Sequence, residues 1–313
     1  MRRLHTVPLV ISGVLLLAAC SGGSDPAPRA TVEPSAPQTS AAPAPEPAPV
    51  LEVARAMADV EHLAVVIGPR HATSEAYLRA ADWVADRFDR LGYTVSRQDV
   101  QAPAGNSWGV DVPAGTSVNV IADPPGFDPT RPHRLVGAHL DTIPVAPGAE
   151  DNASGVAMML ELARLDVDGS LPVRFIAFGA EEPRGPGDDL HHFGSQQYVA
   201  ALDEPARAAT TAMVSLDRVG VPGPEVPICH GGRATPAVRD SLAAAAVAAG
   251  VPHTVCGDNR TSDHWSFERG GLEAARLGSL PYAGYHSPQD TPDVIDPGQM
   301  ERVGLIMAQW LAS

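Results

Sequence analysis

No lysine occurs anywhere in the 313 residues. All 22 basic residues are arginine, and against 37 acids they leave a formal net charge of −15. Phosphate backbones are held by clustered Lys and Arg, so a chain this acidic is not expected to bind nucleic acid. Cysteine is scarce too, at three residues. Long apolar runs are missing as well: "VPLVISGVLLLAA", residues 7–19, holds 13 mostly apolar residues, too few to span a bilayer comfortably. A core is not missing. At 44% hydrophobic residues the chain can bury a substantial interior, which excludes disorder of the whole.

The amino end reads as an export signal, with Arg2 and Arg3 as the basic region ahead of the short apolar run. Ala18 and Ala19 directly before Cys20, in "LAAC", resemble a bacterial lipobox, in which Cys20 would be diacylated and become the first mature residue. The blander alternative is an ordinary signal peptide with an incidental cysteine. From residue 21 to 49 the composition turns to Pro, Ala, Ser and Thr without an aromatic residue, so the segment cannot bury enough surface to fold. Its 29 residues, at about 3.1 Å each in polyproline II, would hold a domain up to roughly 90 Å from its anchor. The expected organisation is a signal peptide over residues 1–19, a lipidated Cys20 with its tether to residue 49, and one catalytic domain over residues 50–313. The protein is expected outside the cytoplasm, anchored to the cell membrane through Cys20 or released, and as a monomer. Cys229 and Cys256 remain in the exported portion, where an oxidising compartment favours a disulfide over two buried thiols.

Residues 50–313 alternate strand-like and helical stretches without a second linker or a repeat, the pattern of a single α/β domain around a largely parallel sheet. Helical spacing is plain in "TSEAYLRAADWVADRFDRLGY", capped by Thr73 or Ser74 and stopped by Gly92. Strands are predicted at "YTVSRQDV", "TSVNVIA", "HRLVGAH", "VRFIAFGA", "TAMVSLD" and "LEAARLG". Helices are predicted at "ASGVAMMLELARL", "GSQQYVAAL", "ATPAVRDSLAAAAVAAG" and the terminal "DPGQMERVGLIMAQWLA", where Asp296, Pro297 and Gln299 suggest a capping box.

Mapped onto this reading, His139 and Asp141 end one strand, Glu181 and Glu182 a second and Asp217 a third. Asp151 opens the helix after the first, and His286 follows the last. In open α/β sheets ligands bind beyond the carboxyl ends of strands. Acids converging there repel one another unless a cation intervenes, and Arg184 and Arg218 are too few, so divalent metal is expected. Imidazole and carboxylate suit zinc, and a thiolate-rich set is absent because the cysteines lie elsewhere in the sequence. Asp151, Glu182 and Asp217 carry three negative charges against four positive ones on two zinc ions, which favours two metals over one. Asp141, two residues after His139 on extended chain, is placed to orient the imidazole. Neighbouring Glu181 and Glu182 point apart, so Glu182 can ligate while Glu181 stays free as a general base.

The motifs "HLD", "DNASG", "GAEE", "SLDRVG" and "YHSPQDT", in this order, resemble the co-catalytic di-zinc aminopeptidases. These are secreted bacterial leucyl-type enzymes related to glutaminyl cyclases and to a membrane glutamate carboxypeptidase, and the similarity covers roughly residues 55 to 312. The resemblance implies a three-layer αβα fold with a mixed, largely parallel sheet. It implies one zinc on His139, Asp151 and Asp217 and another on Glu182, Asp151 and His286, with Asp151 bridging. Glu181 would be the base, Asp141 the partner of His139 and Tyr285 the donor to the oxyanion, with peptides as substrates. Two departures stand out: the insertion "PRGPGDDLHHFGS" after Glu182, expected to border the pocket, and Arg218, which either pairs locally or contacts a substrate carboxylate.

Three rivals are weighed. "GNSWG", residues 105–109, matches a serine-hydrolase elbow around Ser107, yet Pro113 and Gly115 stand where that motif needs a helix. A glutaminyl cyclase would use much of the same ligand list with one zinc. A lipid-anchored metal- or peptide-binding protein would need the ligands but not Glu181. His191, His192, His230 and His253 read as surface or loop residues, and His264 in "SDHWSF" as no ligand.

Overall fold

A computed structural model describes residues 50–278 and 281–313. The signal peptide, Cys20 and the tether expected over residues 1–49 lie outside the described residues. Helix α1 (Val53–Glu61) runs into a π-helical turn (His62–Ile67), and α2 (Glu75–Arg90) follows where apolar spacing predicts it. Ser74 accepts from the Tyr77 amide at 3.1 Å, satisfying one of the donors a helix start leaves orphaned. Beyond the helix end Gly92 takes a φ of +87°, a conformation a β-carbon disfavours.

Next come β1 (Thr94–Ala102), β2 (Gly105–Ser107), β3 (Val110–Val112), β4 (Gly115–Asp123), β5 (His133–His139) and α3 (Ser154–Leu165). They are followed by β6 (Val173–Phe178), α4 (Phe193–Ala201), α5 (Glu204–Ala209) and β7 (Thr210–Leu216). The chain closes with β8 (Val226–Cys229), α6 (Ala237–Ala248), β9 (His253–Cys256), α7 (His264–Arg269), β10 (Ala274–Leu277) and α8 (Pro297–Leu311). Eight strands form one sheet in the order β1-β4-β6-β5-β7-β10-β8-β9. The middle of it, β6-β5-β7-β10, is parallel, while β1 and β4 run antiparallel on one flank and β8 antiparallel to β10 on the other.

Two-residue alternation along these strands builds the layers. Val136, Ala138, Val214 and Leu216 point into one core with residues of α1, α2, α3, α6 and α8. Leu135, Ile176, Phe178 and Met213 point the other way, onto Tyr198 and Val199 of α4 and Phe267 of α7. Each large side chain buried this way stabilises the fold by roughly 1.5–3 kcal/mol. The result is the three-layer α/β architecture with a mixed, largely parallel sheet that the sequence predicts.

The Cys229–Cys256 disulfide is formed, joining neighbouring strands β8 and β9. "GNSWG" is a hairpin: Trp108 and Gly109 turn the chain between β2 and β3, and Ser107 is buried, so it is no exposed nucleophile. Asp296 caps α8 through the Gly298 amide at 2.9 Å, but the expected capping box does not form. Gln299 instead donates to the Glu225 carbonyl and accepts from Arg302, while the Asp296 amide that a capping box would engage donates to the Gly220 carbonyl at 2.8 Å. No described helix is long and apolar enough to cross a membrane.

Candidate metal centre and catalytic site

Three parallel strands deliver their last residues to one rim. β5 ends on His139, which is 1% exposed, and Asp217 follows β7. After β6 the chain turns at Ala180, whose φ is +55°, and presents Glu181 and Glu182. Arg218 and His286 likewise have positive φ, at +57° and +52°. Each such residue costs of order 1–3 kcal/mol, and strain of this kind persists where the surroundings over-determine a functional geometry.

Asp151 occupies the turn before α3 and reaches both imidazoles. Its Oδ1 lies 3.2 Å from His139 Nε2 and its Oδ2 3.1 Å from His286 Nε2. The turn is held by Asp290, whose carboxylate accepts from the Glu150 and Asp151 amides at 2.8 and 3.1 Å. Asn152 ties it to the end of β7, donating to the Leu216 carbonyl and accepting from the Arg218 amide. Glu182 Oε2 stands 3.3 Å from His286 Nε2, and Asp217 Oδ1 3.9 Å from His139 Nε2. Ligand atoms on a tetrahedral ion with bonds of about 2.0–2.1 Å sit roughly 3.3 Å apart, so these spacings fit a divalent cation. The other Glu182 oxygen and Asp217 Oδ1 are buried without a hydrogen-bond partner, a need that a bound cation would meet. His139, Asp151 and Glu182 converge as one triad and His139, Glu181 and Asp217 as another.

The charges carry the same mark. Burial, which alone would lower His286, is outweighed by Glu182 and Asp151, and its pKa rises to about 10. Burial, with lesser repulsion from Asp217 and Asp141, lifts Glu181 to about 8 despite His139. Burial also lifts Glu182 to about 7 against the pull of His286. Asp217 goes the other way: burial would raise it, but Arg276 and His139 hold it well below the usual carboxylate range. A cluster of carboxylates this crowded favours protons or a bound cation among them.

Asp141 stays beside His139 through both backbone and side chain: its carbonyl oxygen lies 3.1 Å from His139 Nδ1 and its carboxylate 3.8 Å from the same nitrogen. The two carboxylate oxygens accept from the Glu181 and Glu182 amides at 2.9 and 3.1 Å, strapping down the chain that carries both acids. β5 stops at His139, so the alternation that would align Asp141 with the imidazole no longer applies. Tyr285 is 37% exposed, its ring stacked on His286 at 3.7 Å with the Arg218 guanidinium 4.6 Å from its centre. Arg218 thus packs locally, with its Nε 3.6 Å from Asp217 Oδ1.

The site opens into a cavity of about 280 Å³ lined by Trp108, Pro183, Asp188, His191, Arg218, Arg260 and Tyr285 beside the acids and imidazoles. The inserted loop after Glu182 therefore borders the pocket as expected. A cavity of about 390 Å³ around Leu171 and Val173 lies at the opposite end of β6 and contains none of these groups.

Four functional residues escape sequence reasoning. Arg276, fully buried on β10, places Nη2 3.0 Å from Asp217 Oδ2. An arginine inside the apolar strand "EAARLG" was the available signal. Arg70 is fully buried and donates to the carbonyls of Leu140, Pro147 and Gly148, holding the loop between His139 and Asp151. Trp108 lies edge-on to His286, ring centres 4.4 Å apart. His192 is buried against Glu181 rather than exposed, with Nε2 3.2 Å from Oε1. His264 is buried against the Asn259 carbonyl at 2.8 Å.

Residues 119–311 match the model of peptidase family M28. Leupeptin-inactivating enzyme 1 of Streptomyces exfoliatus is 29% identical over 257 residues, 80% of this chain and 53% of that protein. The chain thus spans about half the length of that curated relative. A zinc aminopeptidase from Bacillus subtilis superposes with a TM-score of 0.72 at 20% identity, covering 85% of this chain and 95% of that one. A glutaminyl cyclase from Porphyromonas gingivalis superposes at 0.71 with 24% identity, covering 83% and 98%. At such identities the two superpositions speak for the fold alone.

Proposed function

The chain belongs to peptidase family M28, and from that premise we propose that it is a zinc-dependent aminopeptidase that removes amino-terminal residues from peptides outside the cytoplasm. The observation that carries this reading is the double engagement of Asp151, one oxygen to each imidazole, which is the arrangement a bridging carboxylate needs. His139, Asp151 and Asp217 would hold one zinc ion, and Glu182, Asp151 and His286 a second. Bound zinc supplies Lewis acidity toward a substrate carbonyl and makes water more acidic.

The chain's own residues do the rest. Glu181, held beside the ligands by the Asp141 strap, takes a proton from the attacking water and returns it to the departing amine nitrogen. The Tyr285 hydroxyl, on the ring stacked over His286 at the pocket wall, donates to the oxyanion. Trp108 and the loop after Glu182 line the approach to the acids. The anchor is proposed at Cys20; Cys20→Ala should move the protein from membranes into the medium.

A second reading, a glutaminyl cyclase-like transferase with one zinc on Asp151, Glu182 and His286, draws on Arg276, which already supplies Asp217 with a positive charge. Digestion of a mixed peptide library by zinc-loaded protein, followed by mass spectrometry, decides between them. Successive loss of amino-terminal residues with two zinc ions per chain is expected. Cyclised amino-terminal glutamine with one zinc, or trimming from the carboxyl end, would overturn the aminopeptidase reading.

A further inference from the structure

The mechanism above leaves one buried side chain in contact with Glu181 without a task. After Glu182 the chain makes its excursion through a 3-10 turn (Asp188–Leu190) and comes back at His192. Two main-chain bonds close the loop: the His192 amide to the Glu181 carbonyl at 2.9 Å, and the Phe193 amide to the Ala180 carbonyl at 2.8 Å. His192 takes a φ of +56°, a conformation that costs a residue with a β-carbon about 1–2 kcal/mol. The turn it makes buries the imidazole to 3% exposure and sets Nε2 3.2 Å from Glu181 Oε1. Nδ1, equally buried, has no hydrogen-bond partner.

A proton on Nδ1 would leave a buried donor unsatisfied, which is rarer in folded proteins than an unsatisfied acceptor. The proton therefore belongs on Nε2, pointing at the carboxylate. Burial, opposed by Asp263, brings the imidazole down to about 4, so it is neutral in the working range. A neutral donor orients a carboxylate without the charge that would strip it of basicity, as an arginine in the same place would.

We propose that His192 is the positioning residue of the general base: its Nε2–H donates to one oxygen of Glu181, leaving the other oxygen to exchange protons with water and the leaving amine. The proposal rests on Glu181 as the base in the peptidase reading. Its test has two arms on the full chain. In zinc-loaded enzyme, His192→Leu removes the donor, while His192→Gln places an amide nitrogen near the position of Nε2. The expected result is a kcat loss of roughly 10- to 100-fold for His192→Leu, the scale of a misplaced catalytic group, with KM and bound zinc unchanged and most of the rate regained in His192→Gln. A His192→Leu enzyme within threefold of wild-type kcat, a loss confined to KM, or an equal loss in both variants would overturn it.

The second arm reads the contact without turnover. Nitrogen NMR of histidine-labelled, zinc-loaded wild-type protein, with His192 assigned from the resonance missing in His192→Gln, is expected to show a neutral ring protonated on Nε2 whose signal shifts in Glu181→Gln. A ring protonated on Nδ1, or charged, sinks the proposal. Wild-type protein that cleaves no peptide yet shows the expected ring would refute the peptidase reading while upholding the contact.

Discussion

Replacing Glu181 by glutamine isolates proton transfer from every other property of the site. The side chains have equal length, and the amide oxygen can still accept from His192, 3.2 Å away in the wild type. The backbone strap from Asp141 to the Glu181 and Glu182 amides does not involve the side chain at all. The close ligand contacts, at 3.1, 3.2 and 3.3 Å, belong to His139, Asp151, Glu182 and His286. What disappears is a group able to carry a proton. General acid–base catalysis contributes about 10²- to 10⁴-fold, or roughly 2.7–5.4 kcal/mol of barrier. The kcat on an aminoacyl p-nitroanilide should fall by about that factor with KM nearly constant, and zinc per chain, measured by elemental mass spectrometry, should stay at the wild-type value. Activity within fivefold of wild type would refute the assignment of the base. Loss of zinc would do so differently, by placing Glu181 among the ligands with His139 and Asp217, where the second triad also allows it.

Metal-free protein should lose stability as pH rises from about 4.5 to 8. Glu181 and Glu182, raised from 4.5 to about 8 and about 7 chiefly by burial, keep protons in the folded state that the unfolded chain releases above 4.5, so the stability they contribute drains away until both have ionised. Thermal melts across that window should show the decline, and added zinc should abolish it; a flat metal-free profile would contradict the charge balance drawn here. Cys229→Ser with Cys256→Ser opens a loop spanning 27 positions, for which chain entropy gives a loss of about 3.6 kcal/mol in urea unfolding. A change below about 1 kcal/mol would show the strand pairing alone holds that edge. Trp108→Ala should raise KM roughly 10-fold, about 1.4 kcal/mol, for substrates with bulky apolar residues while zinc content holds. An unchanged KM across side chains would remove the hairpin from substrate recognition.

Much of the fold is readable because its main elements are long and periodic. Strands β1, β4, β5, β6, β7 and β10 and helices α2, α3, α4, α6 and α8 fall where the apolar pattern puts them. What escapes is short or weakly patterned. β8 spans Val226–Cys229 around Pro227, β9 is mostly exposed or half-buried, and the hairpin strands have three residues each. In the site, residues at strand ends are legible because topology alone brings them to one rim. Asp141 meets His139 more closely through its carbonyl than its carboxylate because its strand ends two residues early, and His192 is misread because a left-handed turn folds it back beneath Glu181. Nothing in the spacing of "DDLHHFGS" announces that turn.

The buried guanidinium groups have a consequence for how the ion comes and goes. Arg276 grips one oxygen of Asp217, and Arg218 and Arg70 lie among the same acids. Unlike a buried ammonium, which sheds its proton when desolvated, a guanidinium keeps its charge permanently. A chain without lysine thus carries its own non-titrating counterions inside the acidic nest. Emptying the nest with a chelator should leave a softened but folded vessel, ready to be refilled, so that loading and stripping form a reversible cycle.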